Sequence, residues 1–172
     1  KVEAIHNNLK PGEQWSLIAA VIDDSGKYGP VFVKDCRTKS LEFSNEKVSL
    51  EWNPKNVTVS DVVNVTISCT SAEVKQYHYF ANMTSHSYWT NSRYLGGTKE
   101  SAQKYIALNP DGYIQSKTTA SEIQVKNLTP SQEYVVLVMA ELNDGSFTEA
   151  EMFTFTPTMS LGNFVRRDAD GD

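Results

Sequence analysis

Cysteine and histidine are scarce, two of the first and three of the second in 172 residues. His6, His78 and His86 stand apart, with no second histidine, cysteine or carboxylate at a metal-ligand spacing. The sequence has no G-x-S-x-G, no phosphate-binding glycine loop and no C-x-x-C. The expectation is a chain without catalytic residues, without a cofactor and without a metal. Excess positive charge is also missing. A net charge of −5 argues against a nucleic-acid partner, which wants a basic face. No apolar run approaches ~20 residues, so no membrane span is expected in this segment. A methionine start and a signal peptide are absent too, which reads as a mature product or a fragment.

The alternation Val63, Val65, Ile67, Cys69 puts Cys69 on the buried side of a strand. Cys36 lies in a different part of the chain. Two buried or half-buried free thiols are expected, and a disulfide stays open as the alternative.

What the sequence does have is a repeat. Asn127-Leu128-Thr129-Pro130-Ser131-Gln132-Glu133-Tyr134 precedes the apolar run from Val135 to Ala140. Asn8-Leu9-Lys10-Pro11-Gly12-Glu13-Gln14-Trp15 precedes another at 16–22. Leu9 and Leu128, Pro11 and Pro130, Trp15 and Tyr134, and Gly26 and Gly145 are each 119 positions apart. Each copy reads as a Leu-x-Pro turn, an aromatic, a long strand, a glycine turn and a returning strand. Proline cannot donate to a ladder, so Pro130 ends one strand and Tyr134 begins the next.

The run Leu128, Pro130, Tyr134, Val136, Val138, Ala140 resembles the E–F corner and F strand of fibronectin type III domains. There a tyrosine hydroxyl bonds back to the upstream backbone. Trp15 departs from that pattern, having no hydroxyl. Together with Tyr77-His78-Tyr79-Phe80 and the turn Tyr94-Leu95-Gly96-Gly97-Thr98, residues 45–158 resemble the fibronectin type III-like modules of surface lipoproteins of Bacteroidetes. The resemblance implies an all-β, fibronectin type III/Ig-like β-sandwich. The reading is one full domain with a short helical insertion plus the C-terminal half of a preceding one.

Residues 1–40 are assigned to the partial domain, 41–46 to a linker, 47–158 to the full domain with an insertion at 84–117, and 159–172 to a linker or tail. Strands are expected at 48–52, 57–59 (an edge segment), 62–70, 74–83, 121–125, 133–142 and 148–156. In the partial domain, 4–8, 14–22 and 28–36 are expected as three strands. Half a sandwich has no second sheet to bury its inner face. Trp15, Leu17, Ala19 and Val21 are therefore expected to be covered by another polypeptide, with packing on the second domain as the alternative.

The connection from Thr84 to Ala120 is too long to be a bare loop. Thr98 can cap a helix from Lys99 to about Leu108, with Ala102, Tyr105 and Ile106 on one face. Val135, Leu137 and Met139 make the strand at 133–142 apolar on both faces, so the insertion helix is expected to cover them.

Tyr88, Trp89, Tyr94, Tyr105 and Tyr113 cluster in the insertion. Exposed aromatics can form a platform for a sugar or a peptide. The plainer reading is that they glue the insertion to the sheet. Tyr88, Trp89 and Tyr94 are the candidate ligand residues, because polar residues flank Tyr88 and Trp89. Four Asn-x-Ser/Thr sequons, at Asn56, Asn64, Asn82 and Asn127, would be glycan acceptors in a secreted eukaryotic chain. The resemblance to bacterial modules favours the other reading, chance products of a Thr/Asn-rich strand composition. Asp168-Ala169-Asp170-Gly171-Asp172 opens like a calcium loop but lacks the later ligands, and reads as a solvated tail.

The functional expectation is a non-catalytic, extracellular or cell-surface module of a multidomain protein, acting as a spacer, adhesion or presentation unit. Its expected partners are a protein or a surface glycan, and neighbouring domains of the parent chain. The alternative is a carbohydrate-binding module using exposed aromatics of the insertion.

Overall fold

In a computed structural model, residues 9–38, 40–53 and 56–159 are described. The expected strand at 4–8 and the acidic tail lie outside them. The chain divides into two units, 1–42 and 43–172.

The second unit is a β-sandwich. β3 (Val48–Asn53), β4 (Val63–Cys69) and β7 (Glu122–Val125) form one sheet in the order β3-β4-β7. β5 (Val74–Met83), β6 (Ser116–Thr118), β8 (Tyr134–Leu142) and β9 (Glu151–Phe155) form the other in the order β6-β5-β8-β9, all antiparallel. The fold is an all-β, fibronectin type III/Ig-like sandwich. The inner faces alternate as the sequence does. Val63, Val65 and Ile67 of β4 meet Tyr134, Val136 and Val138 of β8 in one core.

The expected edge segment at 57–59 is not a strand. Thr58 makes a single parallel bridge to Thr158. The seventh strand is instead β6, three residues that pair with Tyr77 to Tyr79. β9 is shorter than expected, and Thr148 ahead of it bonds to Ala140 through both backbone and hydroxyl.

A second core lies on the other face of β5 and β8. The insertion supplies its cover with two helices, α1 (Ser87–Thr90) and α2 (Lys99–Leu108). Thr98 caps α2, its hydroxyl accepting the Ser101 N–H at 3.1 Å. Ala102 and Ile106 of α2 pack in one cluster with Val135, Leu137 and Met139. Those three side chains are fully buried, each worth roughly 1.5–3 kcal/mol. All nine positions of β8 are buried, which accounts for its continuous apolar run.

The E–F corner closes as expected. The Tyr134 hydroxyl accepts the Thr129 N–H at 3.0 Å. Asn127 and Ser131 flank it with φ of 59° and 60°. Asparagine tolerates that region better than most residues.

The first unit is an antiparallel hairpin, β1 (Gln14–Ile22) and β2 (Tyr28–Arg37). Its register reproduces that of β8 and β9. Trp15 pairs with Cys36 as Tyr134 pairs with Phe155, and Ala19 with Phe32 as Val138 with Glu151. Ile22 opposes Tyr28 as Glu141 opposes Phe147. The turns agree as well. Gly26 N–H donates to Asp23 O as Gly145 N–H does to Leu142 O. Lys10 stands where Thr129 does, and its N–H donates to the Glu13 carboxylate at 3.3 Å, in place of the missing tyrosine hydroxyl. Leu17 and Val21 are 54% and 75% exposed. Both cysteines are free thiols. Cys69 is half-buried as expected, but Cys36 is exposed, because its strand face carries no second sheet among the described residues.

Candidate functional site

The insertion presents a tyrosine cluster above a buried aromatic layer. α1 starts at His86, whose Nδ1 accepts the Tyr88 N–H at 3.1 Å. One residue of so short a helix points inward, and it is Trp89. Its ring stacks on Phe80 of β5, centroids 5.9 Å apart and 14° between planes. Trp89 is only 6% exposed. The expectation of an accessible indole is therefore corrected: its flanking polar residues face solvent, while Trp89 itself belongs to the second core.

The tyrosines sit outside that layer. Tyr88 meets Tyr94 edge-to-face at 5.5 Å and Tyr113 at 6.0 Å, and Tyr94 meets Tyr105 at 6.1 Å. Such edge-to-face contacts hold rings in fixed relative orientation. Tyr88 and Tyr94 are half-buried, so the structure brings these two of the three expected residues to one surface. Tyr113 completes it and is 77% exposed. The charge and hydrogen bond of Tyr94 hold the Tyr113 phenol above its ordinary range. The cluster is polar at its tips and aromatic at its faces, which suits a ligand with both hydroxyls and apolar ring faces.

A second polar group lies at the end of the second core. Glu141 of β8 accepts from Lys75 Nζ at 2.6 Å, from Gln76 Nε2 at 2.6 Å, and meets His78 Nε2 at 2.7 Å. Burial pushes the Glu141 carboxyl up, but these three bonds outweigh it and bring it down to about 2. Burial pushes His78 down, partly offset by Glu141. The neutral imidazole thus donates from Nε2 to the carboxylate, and its Nδ1 is buried without a hydrogen-bond partner among the described residues. Nothing near His78 in the chain marks its partner. Glu141 is 63 positions away, and only the pairing of β5 with β8 brings them together. The group is a polar clasp that ties β5 to β8. Among the described residues no group of three or more His, Cys, Asp or Glu could hold a metal ion. No helix among them is long and apolar enough to cross a membrane.

No family model matches the chain. No curated protein matches it either. Solved structures similar to it include the FN1–FN3 domains of chicken CNTN1, at 14% identity and TM-score 0.38, covering 89% of this chain and 46% of that one. The fibronectin(III)-like modules of Clostridium thermocellum CbhA are similar at 11% identity and TM-score 0.39, covering 86% and 64%. The fn3 domain of human collagen alpha-1(XX) is similar at 11% identity and TM-score 0.38, covering 73% and 90%. The chain thus spans less than two thirds of the first two structures. Its own strand order and its closed tyrosine corner make the chain an all-β sandwich of fibronectin type III/Ig-like fold.

Proposed function

We propose that this chain is a non-catalytic module of a multidomain extracellular or cell-surface protein, serving as a spacer and presentation or adhesion unit. The supporting observation is the reproduction of the β8–β9 register by β1–β2 at a constant offset, the pattern of tandem modules. The resemblance of residues 45–158 to modules of surface lipoproteins of Bacteroidetes fits the same setting. The cover of β8 on both faces makes the two sheets and the insertion one packed body, which suits holding neighbours apart.

A domain swap tests this reading. Residues 43–158 are replaced in the parent protein by an unrelated sandwich of equal end-to-end length. Surface display and ligand capture by the rest of the parent should persist. Their loss would overturn the spacer role.

The tyrosine cluster supports a second reading, a glycan-binding module. Tyr88, Tyr94 and Tyr113 would supply the platform, and Trp89 would support it from beneath. On a glycan array, Tyr113→Ala should abolish binding and leave thermal stability nearly unchanged. A chain that binds no glycan ends this reading and leaves the spacer role standing.

A further inference from the structure

The hairpin β1–β2 is apolar on both faces. Trp15, Leu17, Ala19 and Phe32 share one, by the cross-strand pairing of Ala19 with Phe32. Ile18, Ala20, Ile22 and Val31 share the other. Ile18, Val31 and Phe32 are 67%, 63% and 59% exposed. An isolated two-stranded hairpin is marginal in water, and an apolar patch of this kind marks a contact surface.

The other copy of the same hairpin shows what such a surface receives. Along its outer edge, β8 takes β5 as an antiparallel strand, paired from Val74–Leu142 to Met83–Tyr134. Tyr134, Val136 and Val138 are covered by the facing sheet of β3, β4 and β7. Val135, Leu137 and Met139 are covered by the insertion. Transferred by the shared register, the equivalents are Trp15, Leu17 and Ala19 on one side and Ser16, Ile18 and Ala20 on the other. Lys34 stands where Phe153 does. Phe153 is only half-buried, so a lysine there can run its stem along the core and reach the rim.

We propose that β1–β2 is the docking half of a second sandwich, and that its occupant is polypeptide lying outside these 172 residues. The occupant adds an antiparallel strand along β1, from opposite Trp15 to opposite Asp23, and lays a second sheet over Trp15, Leu17, Ala19 and Phe32. It is recognised by main-chain hydrogen bonds along the edge and by alternating apolar side chains, as in strand addition generally. The proposal rests on the tandem-module reading and makes it specific.

Cys36 is a built-in reporter. It is exposed in this chain, whereas its counterpart Phe155 is 7% exposed in the completed domain. The experiment measures labelling of Cys36 by N-ethylmaleimide, with half-buried Cys69 as the internal reference, alongside hydrogen exchange of the β1 amides. The 172-residue chain is compared with the intact natural gene product. In the 172-residue chain Cys36 should label as a free surface thiol. In the intact product, at monomeric mass, labelling should slow by on the order of 100-fold or more, and the outward amides of β1 should gain protection. Equal labelling in both overturns the proposal, as does a gene product with no further sequence. Protection that appears in the 172-residue chain with rising concentration and dimeric mass also overturns it, assigning the surface to a second copy. Failure of the domain swap at 43–158 leaves Cys36 labelling untouched, so the two readings fail separately.

Discussion

The Tyr134 hydroxyl accepts the backbone N–H of Thr129 across the corner between β7 and β8, at 3.0 Å. Five residues apart in sequence, the two fix the angle at which the chain enters its central strand. Tyr134→Phe keeps the ring and its stacking on Phe155 but removes the acceptor. The expected loss is about 0.5–1.5 kcal/mol, with the fold retained. A urea denaturation midpoint equal to that of the wild type would show that the bond contributes nothing net.

Trp89→Ala removes the indole stacked on Phe80 and leaves a cavity in the second core. The expected cost is about 3–5 kcal/mol. Chemical denaturation followed by far-ultraviolet circular dichroism measures it. Tyr113→Ala, at an exposed ring, should stay within about 0.5 kcal/mol in the same assay. Equal losses for the two variants would contradict the layering of the aromatics.

Stability should fall with acidification in two stages. His78 is held below its ordinary value of 6.5, so its folded state prefers the neutral ring. That contribution is complete above about 6.5 and is lost as pH falls toward the lower folded value. Glu141 is lowered from 4.5 to about 2, so its contribution is complete above 4.5 and is lost as pH falls through that range. Lys75 and Lys117 bear on the same pair, as does Asp111. The urea midpoint against pH should therefore show one limb below about 6.5 and another below 4.5. His78→Gln should flatten the first. A midpoint independent of pH between 7 and 3 would contradict the clasp.

Gly96 turns the chain into the cap of α2 with φ of 70°, and a Cβ there would lie 2.9 Å from the Ser101 Cβ. Gly145 has φ of 84° but open space around it. Gly145→Ala should cost about 1 kcal/mol of backbone strain alone. Gly96→Ala should cost more, roughly 2–3 kcal/mol, because the turn carrying Thr98 must also shift. Thermal denaturation of both variants checks the order; a reversed order would mean the Gly96 turn yields freely.

The parts of the fold that could be read from the sequence are those with local causes. The bounds of β5 and of α2 match the expectation at both ends: the aromatic run Tyr77-His78-Tyr79-Phe80 lies within the one, and the Thr98 cap with the face of Ala102, Tyr105 and Ile106 marks the other. The double-faced apolar run of β8 correctly called for cover on both sides. What could not be read depends on distant pairing. Ser116–Thr118 is three residues without a pattern, and it is a strand only because Tyr77 to Tyr79 run beside it. α1 is too short for any periodicity, so nothing in Ser87–Thr90 says which residue turns inward. The His78–Glu141 contact depends on the register of two strands, which neither residue reveals alone.

Burial of β8 on both faces ties the insertion to the sheet as one heritable part. In a sandwich whose long connection ends in solvent, that connection can be shortened or exchanged with a sister module. Here excision of 84–117 would strip Val135, Leu137 and Met139 of their cover and present a flat apolar sheet to other molecules, a template for aggregation. Strand and insertion therefore have to be exchanged together, and a chimera cut between them should precipitate.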